Sequence, residues 1–123
     1  MTLLYIALGG SIGSVLRYLV TTQTSRLLGN NYPYGTLIVN IAGSLAMGLF
    51  IGYLVKTLPH SMELRSFIAV GLLGGFTTFS AFSLDAVNMI ERGQMVEVAI
   101  YIALSVILSI MALFLGLHII RNI

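Results

Sequence analysis

The sequence predicts an all-α integral membrane protein of four transmembrane helices, with the third helix broken near its middle. Of its 123 residues, 58% are hydrophobic and only 8% are charged, a composition far from that of soluble domains. A spanning helix needs roughly 20 apolar residues, so the length allows about four spans in one membrane domain, residues 1–123. The third apolar segment is interrupted by adjacent glycines and hydroxyl residues, which accounts for the predicted break.

The first span is predicted from about Leu3 into the low 20s and carries Gly9, Gly13 and Arg17 at i, i+4 spacing. Small residues at this spacing let two helices approach closely. We expect Arg17 toward the end of the span. There its side chain either snorkels to the lipid headgroups or lines a vestibule that attracts anions. A polar connection is predicted from Thr21 to Tyr34.

The second span, from about Gly35 to Val55, has a row of polar and small residues at successive i+4 steps: Thr36, Asn40, Ser44, Gly48 and Gly52. An unpaired amide inside a membrane is costly, so Asn40 needs a partner. That partner is either a neighbouring helix, through a hydrogen bond, or a permeating ion. A loop is expected from Lys56 to Arg65.

The third span, from about Ser66 to Ile90, contains the run of glycine, hydroxyl and phenylalanine residues from Gly71 to Ser83. Glycine pairs and hydroxyl side chains specify a continuous helix weakly. A break frees backbone N–H and C=O groups, which a membrane tolerates only beside protein or a watery cavity, where they are ready ligands for ions. A kinked helix with glycine packing surfaces fits the stretch equally well.

Two features follow the predicted break. Phe79 and Phe82 share a face if the helix resumes there, and their spacing alone favours ordinary packing. Asp85 is expected to pair with a polar neighbour near the interface. A short turn then leads to the fourth span, from about Val96 to Ile119.

The fourth span carries a row of hydroxyls at i+4 spacing: Tyr101, Ser105 and Ser109. Such a row either bonds its own backbone or forms a track for a small polar solute. Tyr101 cannot easily reach its own backbone, which favours the second interpretation for that residue.

Several classes of function are excluded by what the sequence contains. It has no cysteine, and its two histidines, His60 and His118, fall in different segments, so zinc sites and disulfides are not expected. The six basic residues are spread along the chain, too thinly for nucleic acid. No nucleophile, base and oxyanion arrangement indicates an enzyme. Glycine rows alone would also suit an assembly subunit, but a track of donors favours permeation.

The charged residues predict little preference for one membrane orientation. Lys56, Arg65 and Arg121 fall on one side of a four-span chain, whereas Arg26 and Arg92 fall on the other. Because the positive-inside rule compares these sets, we expect insertion in both orientations and assembly as an antiparallel dual-topology homodimer. The rows of small residues described above are the expected interface.

Three stretches of the chain together resemble the signatures of the Fluc (CrcB) fluoride channel family, in order and spacing. The most specific part is the run from Gly74 to Ser80, joined to Asn40 in the second span and Arg17 in the first. Asp85 departs from the pattern, because glutamate is common there. The stretches are Gly9-Gly10-Ser11-Ile12-Gly13-Ser14-Val15-Leu16-Arg17-Tyr18, Gly35-Thr36-Leu37-Ile38-Val39-Asn40 and the segment from Gly71 to Phe82.

The resemblance implies a passive channel that exports fluoride across the cell (inner) membrane, with two pores in an antiparallel homodimer surrounded by lipid. It implies that Phe79 and Phe82 line each pore and that Asn40 is the pore amide. Arg17 matches a vestibule arginine, and the backbone carbonyls of Gly74 and Thr77 match a structural sodium site at the dimer centre. The remaining pathway positions are Thr36, Thr78, Ser80, Tyr101, Ser105 and Ser109.

The strongest rival is a small dual-topology antiporter that exchanges protons for cations or drugs. Such carriers need a membrane-embedded carboxylate, typically a glutamate in the first span. The first span here has Arg17 and no acidic residue, which favours the channel.

Overall fold

The computed structural model describes all of residues 1–123 and contains five helices. Four segments are long and apolar enough to cross a membrane: Thr2–Leu28, Tyr34–Thr57, Met62–Glu91 and Met95–Arg121. This confirms the predicted all-helical fold with four membrane-length segments. The helices are α1 (Thr2–Leu28), α2 (Tyr34–Thr57), α3 (residues 62–76), α4 (Phe79–Glu91) and α5 (Met95–Arg121).

The third segment is broken, as predicted, between α3 and α4. Thr77 (φ −85°, ψ 161°) and Thr78 (φ −154°, ψ 125°) are extended, whereas Gly74 and Gly75 are still helical. Thr78 caps α4, because its Oγ1 accepts a hydrogen bond from the backbone N–H of Ala81 at 3.0 Å. The hydroxyl residues, not the glycines, therefore form the break itself.

The middle of α3, Arg65–Leu73, is wound as a π-helix, which the sequence analysis did not predict. Glycines of α1 pack directly on this stretch. A Cβ at Gly9 would collide with the carbonyl of Phe67, and one at Gly13 with the carbonyl of Leu72. The two backbones touch with no side chain between them, so α1 holds α3 closely.

Glycines also join α2 to α5. A Cβ at Gly48 would collide with the carbonyl of Leu113, one at Gly52 would lie 2.9 Å from Cβ of Ile120, and one at Gly116 would lie 2.6 Å from the carbonyl of Leu45. Later residues of α2 contact later residues of α5, so these two helices run parallel. The expectation that the small-residue rows join two copies is therefore wrong, because close packing within one chain uses them.

The helix ends correct two further predictions. α1 continues to Leu28, so the polar connection predicted from Thr21 is wrong over residues 21–28. The hydroxyls of Thr21 and Thr24 bond carbonyls one turn back, at 2.9 and 2.7 Å, so both polar side chains are satisfied within the helix. Arg17 consequently lies near the middle of α1, about 16 Å from its end. The predicted loop from Lys56 to Arg65 shrinks to residues 58–61.

Candidate ion pathway

A groove of about 280 Å³ lies beside the break, between α2, α4 and α5. We call it the break groove. It is lined by four further residues, Ser44, Thr77, Val106 and Ile110, and by six of the pathway residues predicted from the sequence: Asn40, Thr78, Phe79, Phe82, Ser105 and Ser109. Residues from three helices that are distant in sequence therefore share one surface.

Asn40 holds the break in place. Its Nδ2 donates to the carbonyl of Thr78 at 2.9 Å, and its Oδ1 accepts from the N–H of Thr78 at 2.8 Å. The partner that the sequence analysis required is thus a neighbouring segment, and both backbone groups of Thr78 are satisfied. The amide nitrogen carries a second N–H, which faces no acceptor in the chain.

The two serines of α5 bond nothing. Oγ of Ser105 and Oγ of Ser109 are buried and have no hydrogen-bond partner in the chain, so the alternative that this row bonds its own backbone is wrong for both. Ser11 and Ser83 do bond their own helices, at 2.7 and 2.9 Å. A buried hydroxyl without a partner costs about 1–3 kcal/mol of stability. Both serines can therefore donate to a ligand without breaking an existing hydrogen bond.

The two phenylalanines occupy different positions in the break groove. Phe82 is buried, and its ring lies 5.2 Å from that of Tyr101, centre to centre. Phe79 is 77% exposed in the single chain. Their ring centroids are 5.5 Å apart with planes tilted by 51°. Core packing therefore accounts for Phe82, whereas Phe79 projects from the single chain, where only lipid or a second chain can cover it.

A second cavity, which we call the polar cavity, lies beyond Phe82 and Tyr101 and has a volume of about 260 Å³. Tyr101 is fully buried, and its hydroxyl donates to Oδ2 of Asp85 at 3.0 Å. The expected polar partner of Asp85 is therefore confirmed. Because a phenol has one hydrogen, Tyr101 cannot donate to an ion in this arrangement. The polar side chains of the cavity include Thr21, Ser25, Tyr32, Thr36, Asp85, Asn88 and Arg92.

Tyr32 is a cavity residue that the sequence analysis did not identify. Its hydroxyl is buried without a partner, and its ring meets that of Tyr101 edge-on, at 5.7 Å and 85°. Burial, with a smaller contribution from Tyr34, raises the pKa of Tyr32, so the phenol stays protonated. No pattern in the sequence marks this position as part of a cavity, since a tyrosine before a proline in a connection is typical of an interfacial anchor.

Arg17 and Ser80 lie outside both cavities. Nη1 of Arg17 is 3.5 Å from the carbonyl of Thr77, to which it donates. The row of Gly9, Gly13 and Arg17 faces α3, so the side chain turns toward the break and does not snorkel. Ser80 is exposed, with its Oγ 3.3 Å from Oγ1 of Thr78.

The break also releases backbone acceptors. The N–H of Thr78 would bond the carbonyl of Gly74 in a continuous helix, but it donates to Asn40 instead. The carbonyl of Thr77 has only the long contact with Arg17. No group of His, Cys, Asp or Glu residues is placed to hold a metal ion. The two carbonyls are neutral oxygen ligands of the kind that bind sodium at broken membrane helices.

Comparison with known proteins gives a family for the chain. The family described as CrcB-like protein, Camphor Resistance (CrcB), matches residues 4–117. The fluoride-specific ion channel FluC of Agrobacterium fabrum is 52% identical over 117 residues, which cover 95% of this chain and 94% of the relative. FluC of Rhizobium etli strain CIAT 652 is 52% identical over 116 residues, 94% and 93% of the two chains. FluC of Rhodopseudomonas palustris is 46% identical over 123 residues, 100% and 99%.

Proposed function

The chain belongs to the CrcB family, and on that premise we propose that it is a passive fluoride-selective channel that exports fluoride across the cell (inner) membrane. It is a multi-pass membrane protein with four spanning segments. It is not an enzyme, since the family consists of ion channels.

The observation that carries the proposal is the set of unused donors in the break groove. Fluoride is small and strongly hydrated, so it enters a membrane only where donors replace its water. Ser105 and Ser109 have hydroxyls without partners, and Asn40 has a second amide hydrogen. All three residues line the groove.

The phenylalanines supply the aromatic part of the groove lining. Aromatic rings carry a positive edge and a negative face, so Phe79 and Phe82 attract an anion that meets their edges. Larger halides would be rejected by a narrow bore that admits fluoride alone. Thr36, Thr78 and Ser80 lie near this route as further donors, and Tyr101 joins them only when it releases Asp85.

Two copies complete the pathway in our proposal. The break groove is open in the single chain, and Phe79 is mostly exposed there. With Arg17 held inside the protein, the basic residues number three against two, which still gives little orientational bias. An antiparallel homodimer would close two such grooves into two pores.

Cysteine labelling tests the dual topology. The chain has no cysteine, so Arg26→Cys and Arg65→Cys each give a single site without further changes. We expect each site to react with an impermeant thiol reagent from both sides of the membrane in a mixed population of chains. Labelling of each site from one side alone would contradict an antiparallel assembly.

The released carbonyls of Gly74 and Thr77 suit a structural sodium ion. One chain offers two oxygens, so a symmetric pair of chains would offer four. Arg17 lies near one of these oxygens and would oppose a cation there. We expect sodium to raise the dimer fraction in detergent relative to N-methylglucamine, and Arg17→Gln to lower the sodium concentration required. Equal dimer fractions in both salts would remove the sodium site.

Fluoride efflux tests the function itself. Proteoliposomes are loaded with potassium fluoride or potassium chloride, and efflux is started with valinomycin. We expect rapid electrogenic loss of fluoride and none of chloride. Folded, dimeric protein that fails to release fluoride would refute the channel and direct attention to proton-coupled cation exchange at Asp85.

A further inference from the structure

The largest cavity of the chain lies along the C-terminal half of α5 and shares no residue with the break groove or the polar cavity. We call it the α5 groove. It has a volume of about 770 Å³. Its walls are apolar, and its polar residues all lie at one end. The walls comprise Ile41, Leu108, Met111, Ala112, Phe114 and Leu115, and the polar end comprises His118, Arg121 and Asn122.

The length of the α5 groove matches one leaflet of a bilayer. From Leu108 to Arg121 the helix rises roughly 20 Å, whereas half of the hydrocarbon core is roughly 15 Å thick. Met111 and Phe114 are 59% and 66% exposed, so the groove opens away from the chain. Because Arg121 is in the last turn of a spanning helix, the polar end reaches the headgroup level when the apolar part lies in the core.

A second cation reinforces the polar end. Lys56, in the last turn of α2, donates its Nζ to the carbonyl of Ile120 at 3.3 Å. Lys56 and Arg121 also line one small cavity of about 290 Å³. Neither has a carboxylate among its hydrogen-bond partners. Because Arg121 lines both this small cavity and the α5 groove, the positive charge of Lys56 lies beside the polar end of the groove.

We propose that the α5 groove binds one acyl chain of an anionic phospholipid, with the lipid phosphate held by Arg121 and Lys56. The pattern of a long apolar wall with a basic end is complementary in shape and charge to such a lipid. Anionic headgroups are attracted by basic residues at a membrane surface. This inference requires membrane insertion only and does not depend on fluoride conduction.

A tryptophan reporter tests the site, because the chain contains no tryptophan. Phe114→Trp places a reporter in the groove. Leu8→Trp is the control reporter, because Leu8 is 51% exposed and lines none of the three cavities named above. The two reporters lie at similar distances from a helix end: Leu8 is six residues from the start of α1, and Phe114 is seven residues from the end of α5. Each protein is reconstituted in phosphatidylcholine that contains dibrominated phosphatidylglycerol or dibrominated phosphatidylcholine, and quenching is measured.

We expect brominated phosphatidylglycerol to quench the groove reporter more strongly than brominated phosphatidylcholine at equal mole fraction, and the control reporter equally. Arg121→Gln should lower the relative affinity for phosphatidylglycerol roughly fivefold, and Lys56→Gln by a similar factor. Arg121→Gln and Lys56→Gln are measured separately, so the test does not need a protein that carries both substitutions. Arg26→Gln, which removes a charge at the end of α1, should leave the preference unchanged.

Two outcomes would overturn the proposal. Equal quenching of the groove reporter by the two lipids would show that no anionic headgroup is bound there. A groove reporter that neither lipid quenches, beside a control reporter that both quench, would show that protein covers the groove, most simply a second copy of the chain. Fluoride efflux from the same vesicles is measured in parallel, so loss of channel function remains distinguishable from loss of lipid binding.

Discussion

The break groove and the polar cavity are both lined by polar side chains, but they differ in what those groups already bond. At the polar cavity, the carboxylate of Asp85 already accepts from the buried hydroxyl of Tyr101, and Tyr32 alone keeps a buried hydroxyl without a partner. In the break groove, Ser105 and Ser109 donate to nothing. Phe82 lines the break groove, and its ring centre lies 5.2 Å from that of Tyr101, which bonds Asp85 of the polar cavity. Neighbouring polar regions of one helix bundle can therefore serve different purposes.

The difference indicates which side chains stabilise the fold and which are held ready for an ion. A hydrogen bond already made contributes to stability and is lost if an ion takes its place. A buried donor without a partner lowers the stability of the fold, and this cost is offset only when an anion binds to the donor. We therefore expect replacement of Ser105 or Ser109 to reduce flux more than stability, and replacement of Tyr101, which is already bonded to Asp85, to do the opposite.

Asn40 both stabilises the fold and offers a free N–H to an ion. Its replacement should therefore have the largest effect on fluoride flux and on stability. Asn40→Leu removes both hydrogen bonds to Thr78 and the free N–H. We expect fluoride flux to fall roughly a hundredfold or more and stability to fall by about 2–4 kcal/mol. The measurements are proteoliposome efflux and thermal unfolding in detergent.

Asn40→Asp separates the two roles of this side chain. The carboxylate still accepts from the N–H of Thr78, but its negative charge repels an anion. Its second oxygen faces the carbonyl of Thr78, to which the amide of Asn40 donates at 2.9 Å, so only one of the two hydrogen bonds is kept, and we expect flux to stay low. Fluoride flux near that of the native protein in Asn40→Asp would mean that the amide is a structural clamp alone.

The phenylalanines should rank next. Phe79→Ile and Phe82→Ile each remove a ring edge, and we expect flux to fall about tenfold or more in each, with the dimer intact. Because Phe82 is buried and Phe79 is exposed, only Phe82→Ile should also lower stability, by about 1–2 kcal/mol. Efflux and unfolding are measured on the same preparations. Native flux in both variants would remove the aromatic edges from the mechanism.

The α5 serines give the clearest separation of flux from stability. Ser105→Ala and Ser109→Ala should each lower fluoride flux about fivefold, since each removes a donor to a charged ligand. Neither should reduce thermal stability, because the hydroxyl removed has no partner. Ser11→Ala is the matched control, since Ser11 bonds the carbonyl of Ala7. If Ser105→Ala and Ser109→Ala lower stability but leave fluoride flux unchanged, the proposed role of these hydroxyls as donors held ready for an ion is wrong.

Much of this architecture could be predicted from the sequence because membranes impose simple constraints. Four apolar segments, the position of the break and the need of Asn40 for a partner all follow from the cost of unpaired polar groups in lipid. The order of residues also predicts the break, because hydroxyl residues that can cap a helix, Thr77 and Thr78, follow Gly74 and Gly75 with only Phe76 between them. The pairing of Asp85 with a polar neighbour could be predicted for the same reason.

Other features depend on contacts that spacing does not reveal. The π-winding of Arg65–Leu73 meets the glycine face of α1, and no single-segment pattern encodes that pairing. Glycine rows predict close packing but not whether the neighbour is in the same chain. The length of α1 was underestimated because polar residues predict a connection, whereas the threonine hydroxyls here are satisfied by carbonyls of their own helix.

Tyr101 provides the smallest expected change in flux and the strictest test of the comparison. Tyr101→Phe removes a hydrogen that is already donated to Asp85, so we expect flux to change less than about threefold. Stability should fall by about 1.5–3 kcal/mol, the usual contribution of a hydrogen bond to a charged group. A double-mutant cycle with Asp85→Asn isolates the pair. A large loss of flux in Tyr101→Phe at native stability would instead show that the phenol leaves Asp85 to bind the ion, and the polar cavity would then belong to the pathway as fully as the break groove.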